Sequence, residues 1–145
     1  MACAPAAAPE APPSRVGPAR ILVLFRSPES PRQLRVAIRD HLRALEASPE
    51  GHAIVYFNAH FPVPGWLKGM PFDAVLLHTT LLCMRWSEIF PSWSRRLDWL
   101  AGLSCVKAAI PQDEYDHSQV LDEWLARLGV TDVFSCLHPR HWPLL

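Results

Sequence analysis

Ile21-Leu22-Val23-Leu24-Phe25, followed at once by Arg26-Ser27-Pro28-Glu29-Ser30-Pro31, is the stretch that decides the fold. Five consecutive apolar residues have the length of a strand, and the six after them carry turn chemistry. A half-solvated strand alternates apolar with polar residues. An unbroken apolar run marks a strand covered on both faces, as in parallel sheets flanked by helices. From Pro31 to about Ala47 the period changes to helical. Leu34, Ile38, His41 or Leu42, and Leu45 fall on one face, and Ser30-Pro31 offers an N-cap followed by proline at N1.

Further along, Ala53 to Asn58 reads as a second strand. Residues 59 to 72 hold Pro62, Pro64, Gly65, Gly69 and Pro71, which predict a loop in place of a second regular helix. Phe72 to His78 is a third strand, and Trp86 to Leu100 a helix broken or started at Pro91. Val106 to Ile110 is a fourth strand, closed by Pro111. Ser118 to Leu128 is an amphipathic helix (Val120, Leu121, Trp124, Leu125 and Leu128 apolar), with Gly129 where a C-cap glycine belongs. Thr131 to Leu137 is a fifth strand. The order β-α-β-loop-β-α-β-α-β predicts an α/β fold: a Rossmann-like, doubly wound, mostly parallel five-stranded sheet with right-handed crossovers. No closing helix follows before Trp142-Pro143-Leu144-Leu145, so the fold reads as cut short.

The chain has 145 residues, 50% of them hydrophobic, enough for one domain with a real core. Its 14 basic and 14 acidic side chains cancel, which argues against a nucleic-acid partner. No apolar run reaches the roughly 18 residues of a membrane span; the longest, Ala74 to Met84, is interrupted by His78, Thr79 and Thr80. Residues 1–20 are Ala/Pro-rich without a signal-peptide apolar core, and are expected to be a disordered leader to a domain at 21–145 in a cytoplasmic protein. Cys3, Cys83, Cys105 and Cys136 form no CxxC pair, and Cys105 and Cys136 read as small core residues.

In such a sheet, ligands gather beyond the carboxyl ends of the strands, near the switch in strand order. The candidates there are Arg26 and Ser27, Asn58 and His60, then His78, Thr79 and Thr80, the run Gln112-Asp113-Glu114-Tyr115-Asp116-His117, and finally Ser135 and His138. A GxGxxG turn, a Walker A loop, a receiver-type acidic strand end and a GxSxG elbow are all missing. The acidic run has three readings: carboxylates that bind hydroxyls or act as a base, a metal site with His78, or acids that complement the dipole of the helix starting at Ser118. His78 is either a satisfied core histidine or a site residue. Arg32, Arg35, Arg39 and Arg43 read as a solvated stripe paired with Asp40 and Glu46. Trp66, Trp86, Trp93 and Trp99 could line a sugar platform or an interface, or be buried.

Ile21–Phe25, Ala37-Ile38-Arg39-Asp40-His41-Leu42, Pro71 to Thr79 with Arg85-Trp86, and above all Lys107-Ala108-Ala109-Ile110-Pro111-Gln112-Asp113-Glu114-Tyr115 resemble one family. With Val120-Leu121, Gly129-Val130 and Val133-Phe134-Ser135, they look like the N-terminal domain of bacterial GT-B-fold glycosyltransferases of the family 1/family 4 type, over residues 20 to 142. The resemblance implies a Rossmann-like domain that receives a sugar or glycan acceptor and faces a second, donor-binding domain. It implies Asp113 or Glu114 as general base on an acceptor hydroxyl, with His78, Thr79, Gln112, Tyr115, His117 and Arg26 contacting substrate. It implies no metal or cofactor, the nucleotide-sugar being a co-substrate. The donor half is not in this sequence, so the chain alone is expected not to transfer sugar.

The competing readings are a stand-alone Rossmann-like binding module and a metal-dependent hydrolase on His78, Asp113, Glu114 and His117. A domain that docks a second half should expose apolar, tryptophan-bearing surface. A stand-alone module should have a polar exterior and an ordered segment after Leu137.

Overall fold

Cover on both faces is what the run at 21–25 obtains. The computed structural model describes residues 17–28 and 33–144, with side chains as far as His141. In it β1 spans Arg20–Phe25, and Leu22, Val23 and Leu24 are all 0% exposed. Its neighbours are β2 (Ala53–Asn58) and β3 (Ala74–Leu77); β4 (Val106–Ala109) and β5 (Asp132–Val133) follow outward. The strand order is β2-β1-β3-β4-β5, and every pair is parallel. This is the α/β, Rossmann-like architecture the sequence predicts.

Successive strand side chains point to opposite faces, so β1 serves two cores. Leu22 and Leu24 join Val75, Leu77 and Ala109 in the larger one. Val23 and Phe25 face the smaller one, with Leu42 and, partly buried, Leu34, Ile38 and Leu45. The helices divide accordingly. On the smaller core lies α1 (Val36–Arg43), continued by a 3-10 turn at Ala44–Ala47. On the larger lie α2 (Gly65–Lys68), α3 (Thr79–Leu82), α4 (Phe90–Trp93) and α5 (Ser118–Leu128), through Leu67, Leu81, Leu82, Trp93 and Trp124 among others.

The helix α5 has the bounds read from the sequence. Gly129 at φ 72 lets the chain turn left-handed, and the amides of Gly129 and Val130 donate to the carbonyls of Ala126 and Leu125, which closes the helix end. Elsewhere boundaries move. Ala19 donates its amide to His52 Nδ1 and Arg20 opens β1, so the fold begins before residue 21. The expected disorder of residues 1–16, and the Ser30-Pro31 cap with Arg32, lie outside the described residues. The cap of α1 is instead Arg35, with no side-chain hydrogen bond.

The expected loop at 59–72 contains α2, because Leu67 there is fully buried. The expected helix at 86–100 is divided: 3-10 turns at Cys83–Trp86 and Ser94–Gly102 flank α4. Pro91 has no N–H to give and stands only in a first turn, so it starts α4. The third strand is trimmed to Ala74–Leu77, the fourth ends at Ala109, and the fifth shrinks to two residues, Asp132–Val133. Cys136 is exposed and Cys105 half-buried, so Cys136 is not a core residue.

Trp124 is 2% exposed and meets Phe90 and Trp93 edge-on, with ring centroids 4.9 and 6.1 Å away. Trp124→Ala is expected to cost about 3–5 kcal/mol. Urea unfolding should show this as a lower midpoint at unchanged slope.

Candidate functional site

The sheet order reverses between β1 and β3, so the crevice lies beyond Phe25 and Leu77. The chain's own polar groups order it. Arg26 donates its backbone amide to Thr80 Oγ1 at 3.3 Å. Asn58 ties β2 to the same edge, with Nδ2 donating to the Ser27 carbonyl at 2.7 Å and Oδ1 accepting from the Ser27 amide at 3.0 Å.

His78 is 1% exposed and ends β3 as the N-cap of α3. Its Nδ1 accepts from the Thr80 amide at 3.2 Å and stands 3.0 Å from Thr80 Oγ1. A nitrogen that accepts an amide proton carries none itself, so the ring is the neutral Nε2–H form. That Nε2 lies 3.1 Å from Nδ1 of His41 on α1 and donates to it. Burial first, and the His41 charge second, lower the His78 pKa from 6.5 to about 4.

The second half of the site is the loop Pro111–His117. A buried guanidinium shapes it: Arg85, 3% exposed, donates from Nη2 to the carbonyls of Gln112 and Asp113 at 2.7 and 2.8 Å. Its Nε donates to the Asp116 carbonyl at 3.0 Å and its Nη1 to that of Leu82 at 3.2 Å. Three loop carbonyls on one planar fork, itself anchored to Leu82, dictate the loop's path. Along it Asp113 (φ 50) and His117 (φ 53) adopt the left-handed conformation that non-glycine residues rarely take. Glu114 turns inward, 3% exposed, where Oε2 accepts from Ser135 Oγ at 2.5 Å and Oε1 from the Cys136 amide at 2.8 Å. Beside it a cavity of about 340 Å³ opens between α5 and the sheet edge, walled by Pro111, Leu121, Leu125 and Val133.

The sequence-derived candidates are thus distributed unequally. His78 and Thr79 close β3, and Thr79 Oγ1 reaches Gln112 Oε1 at 3.5 Å, joining the β3 and β4 edges. Asp113 and Gln112 are exposed on the pinned loop. Tyr115 is exposed on the same loop, and His117 pairs with Asp116 Oδ1 at 2.7 Å. Arg26 is half-buried, and its Nε is buried without a hydrogen-bond partner among the described residues.

The N-cap of α5, His117, makes no side-chain cap bond; Asp116 pairs with His117 and Glu114 with Ser135 and the Cys136 amide. Among the described residues, no three His, Cys, Asp or Glu side chains stand close enough to hold a metal ion. Two arginines of the stripe pair as read, Arg39 with Asp40 at 3.8 Å and Arg43 with Glu46 at 2.8 Å.

Two contributors escape sequence reasoning. Arg85 is one, although a lone arginine in Leu81-Leu82-Cys83-Met84-Arg85-Trp86 is a signal for a buried, carbonyl-bound cation. His41 is the other; it reads as one more position on a helical face. Of the tryptophans, Trp93 is buried, while Trp66 and Trp86 are exposed together with Phe61, Tyr115 and Phe134. Among the described residues no helix is long and apolar enough to cross a membrane. Comparison of the chain with protein-family models, curated proteins and solved structures finds no match.

The depressed His78 pKa has a definite sign. Between about 4 and 6.5 the unfolded chain binds a proton there that the folded chain refuses. Its contribution is therefore complete above pH 6.5 and is lost as pH falls toward 4, on the order of 3 kcal/mol. Urea unfolding across this range should show that slope, and His78→Asn should flatten it.

Proposed function

We propose that this chain is the acceptor-side domain of a nucleotide-sugar-dependent glycosyltransferase. The observation that carries the reading is the Pro111–His117 loop at the carboxyl edge of the sheet. A buried arginine holds its backbone rigid while Gln112 and Asp113 face outward. Polar groups fixed in advance bind hydroxyls without an ordering cost, and a carboxylate among them can accept a proton.

Of the two candidate bases, Glu114 has both oxygens engaged by the chain. The base in this reading is Asp113. It removes the acceptor hydroxyl proton as that oxygen attacks the anomeric carbon and the nucleoside diphosphate departs from it. His78, Thr79, Gln112, Tyr115, His117 and Arg26 form the surrounding contact set. The exposed Trp66, Trp86, Phe61 and Phe134 fit a surface against which a donor-binding half docks. A cytoplasmic location, and inactivity of this domain without the donor half, belong to the same reading. The 3-10 segment Pro139–Leu144 is the observation on the side of a stand-alone binding module.

Titration of the chain with soluble glycosides, followed by amide NMR shifts, tests the proposal. The expected result is millimolar binding with shifts at His78, Thr79, Gln112 and Asp113. Asp113→Asn should weaken it about five- to tenfold, or about 1–1.4 kcal/mol, at unchanged Tm. Shifts confined to the cavity beside α5, or no shifts at all, would overturn it.

A further inference from the structure

The helix α1 is held by little. Leu42 is its one buried residue. A cavity of about 440 Å³ opens beside it, lined by Phe25, Leu34, Leu42 and Tyr56 with Arg39, Arg43 and Glu46, while Leu34, Ile38 and Leu45 pack, partly buried, with Val23 and Phe25. What ties α1 to the end of β3 is the contact between His41 Nδ1 and His78 Nε2, with ring centroids 4.9 Å apart.

That contact joins two neutral rings. The Thr80 amide donates to Nδ1 of His78, so the His78 proton must sit on Nε2 and His41 must offer a bare Nδ1. A proton added to Nδ1 of His41 sets two N–H groups against each other across 3.1 Å. A proton added to His78 lands where the Thr80 amide already donates. The charged residues on the adjoining elements are Arg26 after β1, Arg39, Asp40 and Arg43 on α1, and Glu46 on its 3-10 continuation. Of the two carboxylates among them, Asp40 lies beside Arg39 at 3.8 Å and Glu46 beside Arg43 at 2.8 Å.

We propose that α1 is a pH-gated flap at the β1–β3 switch point, latched by the neutral His41–His78 hydrogen bond and released when the buried His78 takes up a proton. The latch stands at the mouth of the ligand crevice, so acid would open access to the carboxyl edge of the sheet beside His78. The inference rests on the packing of α1 and the two imidazoles, and not on the glycosyltransferase reading. Release returns His78 to water, where an imidazole titrates near 6.5 instead of near 4. Linkage for that one group raises the opening equilibrium roughly thirtyfold between pH 7.5 and pH 5.

Hydrogen exchange of the full chain at these two pH values, corrected for intrinsic rates, tests the flap. Amides of residues 36–43 should exchange through an opening far more frequent than global unfolding, and that opening should rise roughly thirtyfold at pH 5. The amides of β1, β3 and α5 should remain protected well beyond those of α1 at both values. The double variant H41N/H78Q keeps a donor facing an acceptor without a titratable ring, and should lose the response. Imidazole 15N shifts of the unmutated chain give a second measurement, with His78 as the Nε2–H form at pH 7.5 and its change on acidification coincident with that of the α1 amides. An α1 opening that does not respond to pH would overturn the proposal. So would opening only together with the whole fold, or an undiminished response in H41N/H78Q.

Discussion

The guanidinium of Arg85 is the interaction on which the carboxyl edge of this protein depends. A buried cation is tolerated only when every donor finds an acceptor. Here the acceptors are the carbonyls of Leu82, Gln112, Asp113 and Asp116. Among the described residues no carboxylate forms an ion pair with it. A carboxylate would fix one point in space; carbonyls drawn from both sides of the loop fix a path. Left-handed backbone at Asp113 and His117 costs on the order of 1 kcal/mol or more at each, and the converging donors offset that strain. Burial pulls the Arg85 pKa down, and the neighbouring Cys83, Asp116, Asp113 and Glu114 act against it.

The sheet makes this arrangement useful by bringing two such edges together. Parallel pairing of β3 and β4 puts His78 and Thr79 at the same level as the residues after Ala109, which is why Thr79 reaches Gln112. The pairing of β1 with β3 does the same for Arg26 and Thr80. Sequence-distant polar groups therefore meet at one level with no long-range feature of their own, and the α1 latch is a consequence of the same register.

The legible parts of the sequence were those where one physical demand acted alone. An unbroken apolar run at 21–25 has one solution, a strand covered on both faces. The α5 pattern ending at Gly129 has one as well. The segment 79–102 was opaque because proline, tryptophan packing and short 3-10 turns compete there, and periodicity averages over them. The site was half legible. Polar residues after apolar strands announced the edge, and the turn residues after Ile110 announced a loop. What periodicity cannot carry is direction, so nothing in Asp113-Glu114 told which carboxylate turns inward. Ser135 and the Cys136 amide decide that, and they lie about one helix further along the chain.

The most direct test of the Arg85 account is backbone 15N relaxation of residues 112–117 in Arg85→Lys. Lysine keeps the charge but loses the planar fork, and one ammonium cannot reach four divergent carbonyls. The account predicts order parameters near 0.85 for this loop in the unmutated chain, falling below about 0.6 in the variant, with β4 and α5 unchanged. A loop that stays as rigid in Arg85→Lys as in the parent would contradict it.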